Sequence, residues 1–165
     1  MHNTRKHRRT SKRVGGYSSK RTNTRSTYHS VNEGKTLQRF EREIVVKFLE
    51  VLNTVKLYHW KTYRYATHKA TDELYSKLNE NIDLFVEVLL GKSQDRVNLL
   101  HVRNISLKDF SSIDEFKREM VRFKEYLVKL NENNAMKTMS NTDLYNIRDE
   151  ILGNVNQFLY LSTLE

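Results

Sequence analysis

Four side chains between His68 and Glu87 have the types and the spacing of metal ligands. His68, Asp72, Asp83 and Glu87 follow one another at intervals of four, eleven and four residues. Because a helix turns by about 100° per residue, the last three lie at roughly 40°, 60° and 100° from His68, on one stripe beside the apolar face. Imidazole and carboxylate ligands without thiolate suit iron, manganese or zinc. The alternative is two ordinary i, i+4 contacts on a partly solvated helix.

This stripe cannot close around one ion within a single chain. The helical rise of about 1.5 Å per residue separates Asp72 from Asp83 by some 16 Å, whereas a metal–ligand bond is only about 2 Å long. Two antiparallel copies of the helix, related by a twofold axis, would bring His68 and Asp72 of one chain to Asp83 and Glu87 of the other. His59, at the end of the preceding helix, would add one more nitrogen. The spacing therefore predicts a homodimer with two intersubunit sites.

Hydrophobic periodicity places the stripe in the second of four predicted helices. The first helix begins at Thr36 and continues to His59, and the short link KTYRYAT follows it. The second helix is predicted to start at an N-cap, Thr67, and to stop at Gly91. The apolar stripes of the two helices consist of Leu37, Phe40, Ile44, Phe48, Leu52 and Val55, and of Leu74, Leu78, Ile82, Phe85 and Leu89.

The second half of the chain contains two more amphipathic helices. The third opens where Ser112 and Glu115 match a capping box, and the fourth starts around Asn141. Residues 92–111 are less periodic, and we expect a loop there with a short helix near residues 95–101. Two short connections and one long crossover between helices 2 and 3 indicate an all-α, ferritin-like four-helix bundle. We assign it to residues 34–165.

The positive charge of the protein is concentrated at its N-terminus. Residues 1–30 contain nine Lys or Arg and no acid, whereas residues 31–165 contain twenty residues of each sign. With few apolar groups, residues 1–33 are predicted to form a disordered basic arm. Its cations are Arg5, Lys6, Arg8, Arg9, Lys12, Arg13, Lys20, Arg21 and Arg25. Such an arm binds DNA with little sequence preference by releasing condensed counterions; a nuclear-localisation signal and a solubilising tail are the alternatives.

Composition excludes several other classes of protein. Without Cys there is no disulfide framework, thiolate metal site or cysteine nucleophile. No apolar run reaches the length of about eighteen residues that a membrane span needs, and the N-terminus has no hydrophobic segment typical of a secretory signal. We therefore expect no membrane partner and no secretion. The expected location is cytoplasmic or DNA-associated, in a nucleoid, a nucleus or a virion.

The motif H-x-x-x-D-E-L-Y-x-x-L-x-x-x-I-D-x-x-x-E, which begins at His68, resembles the second-helix signature of the Dps proteins, the DNA-protecting mini-ferritins. LYHW, with His59 and Trp60, resembles the end of the first helix in that family. The link KTYRYAT is shorter than the usual link of the family and lacks its Gly. The basic opening RKHRRTSKR is similar to small proteins of large DNA viruses, which implies a divergent viral member of the family.

The resemblance implies a ferroxidase centre across a dimer interface, with His59, His68 and Asp72 from one subunit and Asp83 and Glu87 from the other. Members of the family commonly form twelve-subunit shells that oxidise Fe(II) with hydrogen peroxide or oxygen, store the ferric product and protect DNA during oxidative stress. The competing expectation is a non-enzymatic DNA-packaging or virion structural protein on the same fold, with a degenerate metal site.

Overall fold

The computed structural model describes residues 24–164, which form helices and connecting segments and, within that range, no strand. The predicted all-α class is therefore confirmed. The helices are α1 (Thr24–Lys61), α2 (Tyr65–Ser93), α3 (Ile113–Lys129), α4 (Asn134–Thr138) and α5 (Thr142–Leu161), with a single 3-10 turn at Leu130–Glu132 after α3. In the same range, no helix is both long enough and apolar enough to cross a bilayer.

Helix α1 begins earlier than its apolar pattern indicates. Its first residue is Thr24 rather than Thr36, so the arm predicted for residues 1–33 overlaps the helix by ten residues. The segment contains no Pro, so no residue in it interrupts the helical backbone hydrogen bonds. Residues 1–23, with eight of the nine cations assigned to DNA, lie outside the described residues. Their predicted disorder and their DNA binding stay predictions.

Both predicted ends of α2 are wrong by a few residues. Arg64 rather than Thr67 occupies the N-cap position, and its side chain makes no capping hydrogen bond. Gly91 lies inside the helix, which ends at Ser93, and Gln94 takes the left-handed conformation with φ 54°. Tertiary contacts explain the extension, since the ammonium of Lys92 lies 2.6 Å from a carbonyl oxygen and 2.9 Å from a carboxylate beside the start of α5.

The crossover between α2 and α3 contains no helix. Where a helix was expected near residues 95–101, Asp95 accepts a hydrogen bond from the backbone of Arg96, and Asn98 accepts one from Leu100. These local side-chain bonds compete with helical backbone bonds. The predicted capping box at the start of α3 is confirmed, with Ser112 and Glu115 exchanging hydrogen bonds of 3.3 Å.

One hydrophobic core joins the four long helices. The ring of Phe48 on α1 meets the edges of Phe85 on α2 and Phe123 on α3, with centroids 5.3 Å and 6.4 Å apart. Helix α5 packs against both α2 and α3. The predicted stripe of α2 is confirmed, because all five of its members are buried. The short α4, within the connection between α3 and α5, was not predicted, and its Met136 is buried.

Candidate metal centre

The tight turn between α1 and α2 brings two histidines into contact. His59 lies two residues before the end of α1, and His68 lies in the first turn of α2. Only three residues connect the helices, and the two imidazole rings stack with centroids 3.9 Å apart and planes inclined by 25°. His59 is buried, with 7% of its surface exposed, whereas His68 is half-buried. The short link therefore does not keep His59 away from the metal-ligand stripe.

Reciprocal hydrogen bonds hold the two rings. Nδ1 of His59 lies 3.1 Å from the carbonyl oxygen of His68, and Nδ1 of His68 lies 3.1 Å from the carbonyl oxygen of His59. A carbonyl oxygen only accepts hydrogen bonds, so each Nδ1 must carry the proton. In the neutral tautomer both Nε2 atoms then keep a free lone pair. Hydrogen bonding of Nδ1–H to a backbone carbonyl is the arrangement that prepares Nε2 for a metal ion.

Thr71 completes the support of this pair and was missed in the sequence. Its hydroxyl is fully buried, lies 3.3 Å from Nδ1 of His59 and reaches the carbonyl oxygens of Thr67 at 2.8 Å and His68 at 3.0 Å. The signal was present, because Thr71 occupies an apolar-face position three residues before Leu74. A hydroxyl in that register indicates a buried polar partner.

Asp72 is the nearest carboxylate to the histidine pair. Its Oδ1 lies 3.8 Å from Nε2 of His59, and its side chain is 53% exposed. Two ligands bound to one ion at about 2 Å each can be at most about 4 Å apart, so this separation is compatible with a shared ion. The structure thus places His59 beside two other predicted ligands, His68 through ring stacking and Asp72 at 3.8 Å.

Asp83 and Glu87 lie away from this cluster. Both are exposed on α2, eleven and fifteen residues beyond Asp72. In the described part of this one chain, no three His, Asp or Glu side chains form a group able to hold a metal ion. A single subunit therefore presents His59, His68 and Asp72 at one end of α2 and two further carboxylates along the same helix.

Comparison with known proteins gives a family but no activity. The model of a family described only as a family of unknown function, DUF5856, matches residues 59–161, from His59 to the last turn of α5. Exocyst complex component 6B of Mus musculus and of Homo sapiens are each 35% identical to this chain over 63 residues, which is 38% of this chain and 8% of those proteins. No solved structure matches.

Proposed function

Because the chain belongs to DUF5856, a family of unknown function, its activity has to be inferred from its own side chains, and we propose that it is a Dps-like iron-oxidising protein. In this proposal, Fe(II) is the substrate, a second copy of the chain completes the site, and the ferric product is stored in a homo-oligomeric shell. The basic N-terminal arm holds the assembly on DNA. The observation that supports the proposal most directly is the stacked histidine pair, whose Nδ1 atoms are held by carbonyl oxygens, with Asp72 lying 3.8 Å from Nε2 of His59.

The order of the helices supports a ferritin-like four-helix bundle. Helix α1 contacts α2 and, through the rings of Phe48 and Phe123, also α3. Helix α5 contacts α2 and α3 in turn. The long connection of residues 94–112 therefore joins two helices at opposite corners of the arrangement. One long crossover between diagonal helices distinguishes ferritin-like bundles from simple up-and-down bundles.

The donor set suits iron that changes oxidation state. Two neutral imidazole nitrogens bind Fe(II), while carboxylates favour the harder and more highly charged Fe(III). Asp72, Asp83 and Glu87 are exposed in the single chain, so all three are accessible to a partner. An antiparallel twofold pairing of α2 would bring Asp83 and Glu87 of the second copy to the histidine pair. The symmetry of an isologous dimer would create two equivalent sites.

The reaction is an electron transfer from two Fe(II) ions to peroxide. Each Fe(II) loses one electron, and hydrogen peroxide accepts both electrons together with two protons to give two molecules of water. Delivering two electrons at once avoids the hydroxyl radical that a single-electron reduction would release. The contribution of the chain is to hold the substrate ions close together with His59, His68 and Asp72, while Thr71 and the two backbone carbonyls fix the orientation of the rings.

Iron oxidation by subunits with a defective half-site tests the proposal. Fe(II) is added anaerobically, peroxide is mixed in, and the ferric absorbance is followed in wild type, in Asp83→Ala plus Glu87→Ala, and in a control, Glu125→Ala plus Glu150→Ala. The control removes two exposed carboxylates from α3 and α5. We expect the first variant to oxidise iron at the rate of buffer alone and the control to match wild type.

Complementation tests the intersubunit geometry. A His68→Ala chain and an Asp83→Ala plus Glu87→Ala chain are each defective at both sites of their own homodimer. In a mixed dimer, one site is made of two intact halves. Random pairing of equal amounts gives half mixed dimers with one good site of two, so co-expression should restore about a quarter of the wild-type rate. If no variant differs from wild type, the non-enzymatic DNA-packaging or virion role replaces this proposal.

A further inference from the structure

Three aromatic side chains are exposed to solvent at the turn between α1 and α2. The exposed fractions of Trp60, Tyr63 and Tyr65 are 69%, 103% and 77%. Large aromatic side chains gain more from burial than most others, so three open rings within six residues indicate a binding surface. In the sequence WKTYRY, the rings are separated by Lys61 and Arg64. We call these five residues the ring surface.

The ring surface carries positive charge. Residues 51–71 contain four Lys or Arg and no acid. Lys61 is paired with Asp109 at 2.6 Å, but no ion pair of Arg64 or Lys69 is found among the described residues. The ammonium of Lys56 lies 5.8 Å from the centroid of the Trp60 ring. A partner with negative charge is therefore favoured.

Two of the three rings, those of Trp60 and Tyr63, border a cavity rather than a flat face. A cavity of about 800 Å³ lies between the turn, with Trp60, Tyr63 and Arg64, and the end of the crossover, with Phe110 and Ser111. This volume is within the range of about 300–1,000 Å³ that is usual for small-molecule sites. It therefore suits unstacked bases, whereas a bilayer is flat and the bases of a duplex stay inside the double helix.

We propose that the ring surface binds single-stranded nucleic acid, with bases stacked on Trp60, Tyr63 and Tyr65 and a phosphate held by Arg64. Alternating rings and cations match the alternation of bases and phosphates along a strand. Stacking on aromatic side chains tolerates any base, since every base has a π face. This site differs in place and in ligand from the proposed duplex-binding arm, and it does not depend on iron.

The fluorescence of the intact protein reports on this site directly. Trp60 is the only tryptophan in the chain. Base stacking quenches indole emission, whereas phosphate binding by the arm leaves it unchanged. We expect a thymidine oligonucleotide to quench Trp60 in a saturable manner, and an abasic strand of the same length and a fully paired duplex to leave the emission unchanged. Equal quenching by the abasic strand would overturn the proposal. Response to anionic vesicles but not to oligonucleotides would assign the surface to a membrane instead.

Two variants separate stacking from other contacts. Tyr63→Ala plus Tyr65→Ala removes two rings without changing charge, and Tyr63→Phe plus Tyr65→Phe keeps the rings and removes only the hydroxyls. We expect the alanine variant to bind thymidine strands at least about fivefold more weakly per ring removed, and the phenylalanine variant to bind like wild type. Both variants should have the melting temperature of wild type, because the side chains of Tyr63 and Tyr65 are exposed. Equal affinity of the two variants would refute stacking. In the Asp83→Ala plus Glu87→Ala variant, the thymidine oligonucleotide should quench Trp60 as in wild type. The test is therefore independent of the iron site.

Discussion

The ion pair that anchors the crossover to α3 allows a prediction in which burial, and not distance, decides the effect. The ammonium of Lys108 lies 2.5 Å from Oε1 of Glu119, and Arg122 lies 3.0 Å from Oε2. The Glu119 side chain is only 3% exposed. Lys61 and Asp109 form a pair of nearly the same length, 2.6 Å, but their side chains are 41% and 57% exposed. The crossover therefore contains two similar contacts in different environments.

Lys108→Met should destabilise the protein much more than Lys61→Met. Without Lys108, the buried carboxylate of Glu119 retains only Arg122, and losing one charged hydrogen bond to such a group costs about 2 kcal/mol. For a chain of this length, that loss lowers the melting temperature by roughly 4–8 °C. Lys61→Met should leave it unchanged within error, because water replaces an exposed partner at little cost.

Thermal unfolding of the two single variants and of Lys108→Met plus Glu119→Leu provides the measurement. The double variant should be more stable than Lys108→Met alone, since it no longer buries a carboxylate with an incomplete set of partners. Arg122 stays solvated in it, because its side chain is 63% exposed. Equal shifts for Lys108→Met and Lys61→Met would refute the claim that burial controls these contacts.

Two further predictions concern acid and DNA. Burial raises the pKa of Glu119, but hydrogen bonds from Lys108 and Arg122, together with the positive charges of Lys108 and Lys47, lower it by more. A hydrogen bond from Lys92 lowers the pKa of Asp143. Because both pKa values are lower in the folded state, the two carboxylates stabilise the protein fully above their ordinary pKa values of 4.5 and 3.8. This stabilisation is lost as the pH falls through the folded-state pKa values. Below about pH 4, the urea concentration at the midpoint of unfolding should therefore decrease. The decrease should be less steep in Glu119→Gln than in wild type. Deletion of residues 2–23 should abolish retardation of duplex DNA at low salt and its steep salt dependence; undiminished retardation would place the duplex site on the helical body.

The sequence predicted those features that depend on neighbours along the chain. The apolar stripe of α2 and the capping box at Ser112 are set by spacings of three and four residues, and the structure confirms both. The ends of α2 were predicted wrongly because contacts with distant residues, such as the bonds of Lys92 near the start of α5, extend the helix past Gly91. The early start of α1 escaped prediction because periodicity detects a buried face and not the helix itself.

The candidate site also has features that the sequence determined and features that depend on the tertiary structure. The sequence by itself determined that His68, Asp72, Asp83 and Glu87 share one stripe, since helical geometry alone places them there. Only the tertiary structure decided that His59 stacks on His68, that Thr71 lies beneath it, and that the carbonyl oxygens fix both tautomers. It also decided that the rings of WKTYRY face solvent. These facts depend on how two helices meet across a tight turn, and the spacing of residues within one helix does not specify that angle or distance.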